Sequence, residues 1–241
     1  MDFSLLLEVL FPRRCLVCGY RAPKPPESWA CCPACRAGIG ARPIRSTLIV
    51  PLPHGPPRAV PVMAACRYEY HAVRSLVRAL KFDGIRAAAI PLGDLAAETL
   101  GPLIKDGAAA LVPMPLAKRR ERARGFNQAD LIARRFALRT NLTVASGTLA
   151  RTRFSKPHSA TESAAERART VRGSFSVAAA APPRRVILFD DVVTTGATLG
   201  EAARTLFAAG VREIAAITVA ATTKWIPAAP EDGSLIAAAG P

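Results

Sequence analysis

The stretch that decides the fold runs from Val186 to Thr198 and reads VILFDDVVTTGAT. Its opening apolar run is typical of a parallel strand that is buried on both faces. Two adjacent acids, Asp190 and Asp191, follow that run. A turn of small residues then leads into a helical segment that Gly210 closes at the expected stop position. The stretch therefore predicts a strand, a turn and a helix, with both acids at the carboxyl end of the strand.

The turn after the acids has the composition of an anion-binding loop. Backbone N–H groups, Thr hydroxyls and the positive end of the following helix favour a phosphate. Gly196 lets the backbone approach the ligand closely because it has no Cβ. Carboxylates one step away would accept hydrogen bonds from the vicinal hydroxyls of a sugar. The predicted ligand-contacting residues of the stretch are Asp190, Asp191, Val192, Thr194, Thr195, Gly196, Ala197 and Thr198.

Two other interpretations of this stretch exist. An ordinary strand-turn-helix with a Thr cap does not explain two adjacent carboxylates directly after an apolar run. A nucleotide hydrolase would use the acids as magnesium ligands and would also need the motif GxxxxGK[ST]. The chain has no Gly-Lys pair, so the pattern favours a sugar-phosphate site.

Strands and helices alternate along the rest of the chain, which predicts an α/β fold with a parallel sheet. The predicted strands are 62–70, 110–114, one within 142–150, 184–189 and 213–221. The predicted helices are 71–81, 87–100, 126–139 and 199–209.

Composition divides the chain into four segments. Residues 1–36 hold most of the cysteines. Ten of the 21 prolines lie between Pro23 and Pro61, and we interpret 37–61 as an extended connector or edge strands. Residues 62–222 form the predicted main domain, and the segment 223–241 is predicted to be a loose tail.

Paired cysteines predict a metal site near the start of the chain. Two C-x-x-C pairs, Cys15 with Cys18 and Cys32 with Cys35, are separated by 13 residues. Two such turns complete a tetrahedral S4 site for structural zinc. Cys31 could replace Cys32 in another register. Cys66 is isolated, and we interpret it as a buried structural thiol.

The charge of the chain is strongly basic, at +15 with a pI of about 10.6. Such an excess favours polyanionic partners but does not choose among nucleic acid, phosphorylated small molecules and anionic lipid. The apolar start, residues 1–11, is short and lacks the flanks of a signal peptide, so it predicts an amphipathic helix. We find no membrane span in the sequence and expect a cytoplasmic protein.

Several motifs resemble one known family. The 13-residue stretch resembles the signature of phosphoribosyltransferases. The rest of the chain resembles the ComF family (competence protein F, also called GntX-like) over about residues 5 to 222. The motifs that carry the resemblance are the paired C-x-x-C turns, LKFDG at 80–84, VPMPL at 112–116, RGFNQA at 124–129, Glu166-Arg167 and GSF at 173–175.

The resemblance implies a type I phosphoribosyltransferase-like fold and a site for 5-phosphoribosyl-1-pyrophosphate (PRPP) with Mg²⁺ carried mainly by the substrate. In such an enzyme a nucleophile, commonly nitrogen, displaces pyrophosphate at the anomeric carbon. Asp190 and Asp191 would hold the ribose hydroxyls, and residues 194–198 would hold the 5-phosphate. Among the cations at 118–124, Arg124 would face the pyrophosphate and stabilise it as leaving group. Lys81 is either a second pyrophosphate contact or a cation at a helix C-terminus.

ComF-like proteins are also implied in the uptake of single-stranded DNA during natural transformation, beside a helicase partner. The basic charge fits this role, but the low aromatic content of 6% gives few stacking groups. The basic segment 151–172 is either a loop that closes over the sugar or a plain surface loop. Before Gly173 this chain has His158 and Thr170, where the family commonly has Gln and Asn. A non-catalytic module that binds a phosphorylated ligand or a DNA strand end in the same pocket is therefore the alternative to an enzyme.

Overall fold

The computed structural model describes residues 14–20, 30–104, 109–152 and 170–225. The predicted helix at residues 1–11, most of the basic segment 151–172 with His158, and the tail after Trp225 lie outside these ranges.

A five-stranded, mostly parallel sheet forms the centre of the fold, in the order β1-β2-β7-β6-β3. Strands β2, β7, β6 and β3 are parallel, and β1 pairs antiparallel with β2 at one edge. A two-stranded hairpin, β4 with β5, lies outside this sheet. The strands are β1 (Ile44–Val50), β2 (Arg58–Arg67), β3 (Ala110–Pro113), β4 (Leu149–Arg151), β5 (Phe175–Val177), β6 (Arg185–Val193) and β7 (Glu213–Ala221).

Helices cover both faces of the sheet, because successive strand residues point to opposite sides and both sides of β6 are apolar. Ile187 and Phe189 pack with the core that includes residues of α2, α3 and α5, whereas Val186 and Leu188 pack with the core that includes residues of α6. The Phe136 and Phe189 rings lie 5.4 Å apart between α5 and β6. The helices are α1 (Pro33–Ala37), α2 (His71–Lys81), α3 (Ala89–Leu100), α4 (Lys118–Arg124), α5 (Gln128–Thr140) and α6 (Ala197–Ala208).

The prediction of an α/β fold with a mostly parallel sheet is confirmed, and the bounds of α2 and β7 agree with the predicted ones. The cysteine-rich segment is followed by an edge strand, β1, and β2 begins at Arg58, inside the predicted connector. The predicted strand within 142–150 is reduced to β4 at its end, and Val144 forms an isolated bridge with Leu111. The cations at 118–124 form a short helix that apolar periodicity could not predict, because none of its residues is buried.

The cysteine-rich segment packs against the main body of the chain. Ala30 and Cys31 of this segment, and Ile39 just after it, belong to the same core as residues of α2 and α3. Arg36 of α1 forms an ion pair with Glu98 of α3. The folding of this segment and of the sheet domain is therefore coupled through shared apolar contacts.

Among the described residues, no helix combines the length and apolar character needed to cross a membrane.

Candidate functional site

The shared direction of the four parallel strands places the candidate site at one edge of the sheet, where their carboxyl ends meet. β6 is longer than the predicted strand and continues through Asp190 and Asp191 to Val193, because β7 pairs with it as far as Ala221. On its other side β3 pairs with β6 only as far as Phe189. The two acids are therefore within β6, beside the end of a shorter strand. Ligands of open α/β sheets bind in crevices of this kind.

The carboxyl groups of Asp190 and Asp191 lie close enough for each charge to act on the other. Asp190 Oδ1 also accepts a hydrogen bond from the Asp191 backbone N–H at 2.8 Å. Lys81, the last residue of α2, forms an ion pair with Asp191 through Nζ and Oδ2. Lys81 was predicted to be a pyrophosphate contact or a helix C-terminal cation, and the structure pairs it with one of the two acids.

The two carboxyl groups have pKa values that shift in opposite directions. Burial and the charge of Asp191 raise the pKa of Asp190 well above its usual range. Burial alone would raise the pKa of Asp191 too, but the Lys81 ammonium lowers it overall. Burial would lower the pKa of Lys81, yet the pKa is raised because Asp191 favours the charged ammonium. The site thus holds one ionised acid, paired with lysine, and one acid that resists ionisation.

The turn after β6 offers its backbone N–H groups to a ligand. Within the described parts of the chain, the amides of residues 194–198 donate no hydrogen bond to another residue. Gly196 is the N-cap of α6 and has a φ of 72°, a left-handed conformation that glycine adopts without strain. N–H groups at the start of a helix can bind an anion. Binding of a phosphate by this turn stays a prediction.

Gly196 is also required by close packing from outside the turn. A Cβ at this position would lie 2.4 Å from the Trp225 ring and 2.7 Å from Leu48 Cδ2. Trp225 follows β7 in a turn whose backbone is held by Thr222, and Thr223 N–H donates to Glu69. Ordered packing therefore continues three residues into the segment that was predicted to be a loose tail.

Arg124 lies at the end of α4, close enough to Asp191 for the carboxylate to act on it. Burial lowers the pKa of Arg124, while Asp191 raises it and the neighbouring Arg120 lowers it further. Its guanidinium donates a hydrogen bond to Gln128. Asn127 caps α5 by accepting from the Ala129 N–H at 3.0 Å, and its Nδ2 donates to the Met114 carbonyl at 2.9 Å. Asn127 and Gln128 thus order the segment between Arg124 and α5.

The four predicted cysteine ligands come together. The Sγ atoms of Cys15, Cys18, Cys32 and Cys35 all lie within 4.8 Å of one another. Tetrahedral zinc with Zn–S bonds of about 2.3 Å places sulfur atoms about 3.8 Å apart, and Cys18 Sγ and Cys32 Sγ are separated by 3.8 Å. The cluster could bind a metal ion such as zinc.

Backbone donors around Cys15 favour its thiolate form. The N–H groups of Val17 and Cys32 point to Cys15 Sγ at 3.4 and 3.3 Å. Burial raises the pKa of Cys15, but these hydrogen bonds lower it overall to about 6. Cys31, the alternative ligand, is not in the cluster; burial raises the pKa of its thiol to about 12. The register with Cys32 is therefore the one that the structure supports.

Three residues near the candidate site had no interpretable signal in the sequence. Trp225 lay in a segment rich in Ala and Pro. Arg151, on β4, was one cation among several in a stretch without periodicity. Glu201 of α6 is buried and accepts a hydrogen bond from the Gly173 N–H at 2.7 Å. Each becomes relevant through a contact with a residue that is distant in sequence.

Comparisons with known proteins give relatives for about half of the chain. No protein-family model matches it. Competence protein F of Haemophilus influenzae is 36% identical over 111 residues, which cover 44% of this chain and 47% of the relative. DNA utilization protein YhgH of Escherichia coli K12 is 34% identical over 107 residues, which cover 43% of this chain and 45% of the relative. The chain thus matches less than half the length of either relative. Together with the motifs quoted above, these similarities support the assignment of the chain to the ComF family.

Proposed function

We propose that this protein binds PRPP together with Mg²⁺ and acts in the handling of DNA during natural transformation. One observation carries the ligand proposal. Two interacting carboxyl groups lie next to the turn at 194–198, and an ion pair with Lys81 keeps one of them in its ionised form. The backbone amides of that turn donate no hydrogen bond within the described part of the chain. Vicinal hydroxyls fit the carboxyl groups, and a 5-phosphate fits the amides and the start of α6.

The residues around the acid pair fit the chemistry of a phosphoribosyl transfer. Asp190 and Asp191 would orient the ribose, and Arg124 would stabilise negative charge on the departing pyrophosphate. A Mg²⁺ ion carried by PRPP would offset part of that charge, and the two carboxyl groups supply the hard oxygen atoms that it prefers. The acceptor would then displace pyrophosphate at the anomeric carbon.

The role in DNA handling rests on the relatives. One is named competence protein F and the other DNA utilization protein. Their matched segments cover about half of each chain, so the cellular role of this protein is part of the proposal.

A thermal-shift titration tests the ligand proposal. We expect PRPP with Mg²⁺, at about 100 times its Kd, to stabilise the protein by about 2.7 kcal/mol. For a chain of this size that corresponds to a rise in Tm of about 5 to 10 °C. PRPP in magnesium-free buffer should give a smaller shift. No chelator is added to this control, since a chelator would also remove metal from the cysteine cluster. An unchanged Tm at saturating PRPP and Mg²⁺ would reject the proposal.

A non-catalytic single-stranded DNA-binding module remains a second candidate, because α4 carries exposed cations. Its sequence is KRRERAR, and none of its residues is buried. Helix α4 lies beside the acid pair through Arg124, so a strand end with a phosphate could reach the same site. Phosphate contacts from exposed lysine and arginine give sequence-independent affinity that falls with salt.

The salt dependence of binding to a single-stranded oligonucleotide tests this second candidate. We expect the double variant K118Q/R122Q to reduce the slope of log K against log salt by about 1.4, since each lost phosphate contact on a single strand contributes about 0.7. The matched control is R74Q/R78Q, which removes two exposed cations of α2. Fluorescence anisotropy over a range of salt concentrations gives the slopes. Affinity that does not change with salt, or equal slopes for both double variants, would contradict DNA binding by α4.

A further inference from the structure

An aromatic ring packs directly against the turn at 194–198 that would bind the 5-phosphate. The indole of Trp225 fills the space beside Gly196, where a Cβ would lie 2.7 Å from Cη2 of the ring. Leu48 of β1 lines the same space, with its Cδ2 also 2.7 Å from that Cβ position. The missing side chain of Gly196 is therefore used by the chain itself, because it lets the indole contact the backbone of the turn.

Hydrogen bonds at the ends of three strands hold Trp225 in this place. The Thr222 N–H, just after β7, donates to the Val193 carbonyl at the end of β6 at 3.0 Å. The Thr223 N–H donates to Glu69 Oε1, just after β2, at 2.9 Å. The Trp225 N–H donates back to the Thr222 carbonyl at 2.8 Å, and the indole packs against the core that includes residues of α6. The backbone that carries the ring is thus fixed to the end of β6, from which the turn starts.

A ring in this position limits the conformations that the turn can adopt. Gly196 has a φ of 72°, and an unconstrained glycine populates positive and negative φ about equally. Backbone amides bind an anion well when their N–H groups are already ordered, since ordering a flexible loop on binding costs affinity. Packing of the rigid indole on Gly196 reduces that cost. The ring also keeps water from one side of the turn, which strengthens the attraction between the amides and an anion.

We propose that Trp225 is a positioning residue of this site, whose indole holds the turn at 194–198 in the conformation that binds the 5-phosphate. The ring acts through Gly196 rather than by touching the ligand. This inference rests on the proposed function, and it concerns the 5-phosphate that PRPP shares with ribose 5-phosphate. Both ligands should therefore depend on Trp225 to the same extent, and the indole should sense the binding of either one.

Calorimetric titration with ribose 5-phosphate, and with PRPP and Mg²⁺, tests this role. We expect W225A to bind both ligands about 10-fold more weakly than the wild type, because both carry the 5-phosphate. W225F keeps a flat ring against Gly196 and should lose less than about 3-fold. The matched control is F207A, since Phe207 lies at the far end of α6 and is partly buried against the same core. F207A should lower the Tm as W225A does but leave both affinities unchanged.

A double-mutant cycle with Gly196 tests the direct contact. In the wild type, G196A should weaken the binding of ribose 5-phosphate by about 30-fold, because its Cβ collides with the indole and strains a left-handed residue. In W225A that collision is absent, and the flexible end of Leu48 can move aside, so G196A should cost only about 3-fold more. Losses that multiply to about 300-fold in the double variant would show that the two residues act independently, and would overturn the inference.

Tryptophan emission gives an independent readout of the same contact. We expect ribose 5-phosphate to change the emission of the wild type but not that of W225F, which keeps Trp29, the second tryptophan of the chain. Constant emission while the ligand binds would contradict a contact between the ring and the occupied turn.

The outcomes separate this inference from the proposed function. A wild-type protein that binds neither ligand would reject the proposed function itself. If the wild type binds both, unchanged affinity in W225A would overturn the role of Trp225, and tighter binding would overturn it because the ring would then block the turn. An equal loss of affinity in F207A would overturn it as well, since lower stability would then explain the loss. Should W225A fail to fold, W225L gives the same comparison.

Discussion

Replacing Asp190 by asparagine should stabilise the ligand-free protein at neutral pH, whereas the same change at Asp191 should destabilise it. Asp190 has a raised pKa. At neutral pH its carboxyl group is ionised in the unfolded state, whereas the folded state disfavours the ionised form, and this difference lowers the free energy of unfolding. One pKa unit corresponds to about 1.4 kcal/mol, and we expect D190N to add about 1 kcal/mol or more to the free energy of unfolding. Asp191 forms an ion pair with Lys81, and its removal should cost about 2 kcal/mol.

The pH dependence of the two effects should differ in sign. A group whose folded pKa is raised contributes stability below its unfolded pKa of about 3.9, and that contribution is lost as pH rises through the folded pKa. The increase in the free energy of unfolding that D190N produces should therefore be absent near pH 4 and should grow toward pH 8. Asp191 has a lowered pKa, so its contribution is present above the unfolded pKa and is lost as pH falls. The decrease in the free energy of unfolding that D191N produces should become smaller as the pH falls.

Both variants should weaken PRPP binding, by about 10- to 100-fold each, because each removes a carboxyl group that would hold a ribose hydroxyl. Urea unfolding at several pH values, with and without PRPP and Mg²⁺, measures stability and ligand binding in one experiment. The pattern of opposite stability effects with a shared loss of binding is specific to a ligand site. Two variants that bind PRPP as well as the wild type would show that the acids serve the fold alone.

Loss of the metal from the cysteine cluster should have the second large effect. We expect one zinc ion per chain in the purified protein and less than about 0.2 in C32S, since three thiolates rarely retain structural zinc. The variant should also lose several kcal/mol of stability, and its Tm should fall by about 10 °C. The loss should extend beyond the cluster, because Ala30, Cys31 and Ile39 share a core with residues of α2 and α3.

The neighbouring cysteine supplies the control for this experiment. Cys31 is buried and lies outside the group of four sulfur atoms, so C31A should keep one zinc per chain. Metal analysis and thermal unfolding of both variants complete the test. Loss of zinc in C31A but not in C32S would show that the cluster uses the other register, and a wild-type protein without metal would remove the zinc proposal.

Much of the architecture was predictable because it depends on local patterns. The buried strand and the turn of small residues within 186–198 predicted β6 and the start of α6, and helical spacing predicted the bounds of α2. The paired C-x-x-C turns predicted the four sulfur atoms that the structure brings together. The bounds of β6 were less predictable, since the strand continues through both acids only because β7 extends beside it to Ala221.

The sequence by itself determined the fold class, the cysteine cluster and the acid pair with the turn of small residues that follows it. Each of these features depends on residues that are neighbours along the chain. The spacing of apolar residues, the residues of the turn and the spacing of the cysteines therefore indicate the local structure without tertiary contacts. Tertiary structure alone decided that Lys81 pairs with Asp191, that Trp225 packs against Gly196, and that Arg151 stacks on Phe175. Each of these contacts joins side chains far apart in sequence. Their charge and packing energies therefore arise only when the sheet brings its strand ends together.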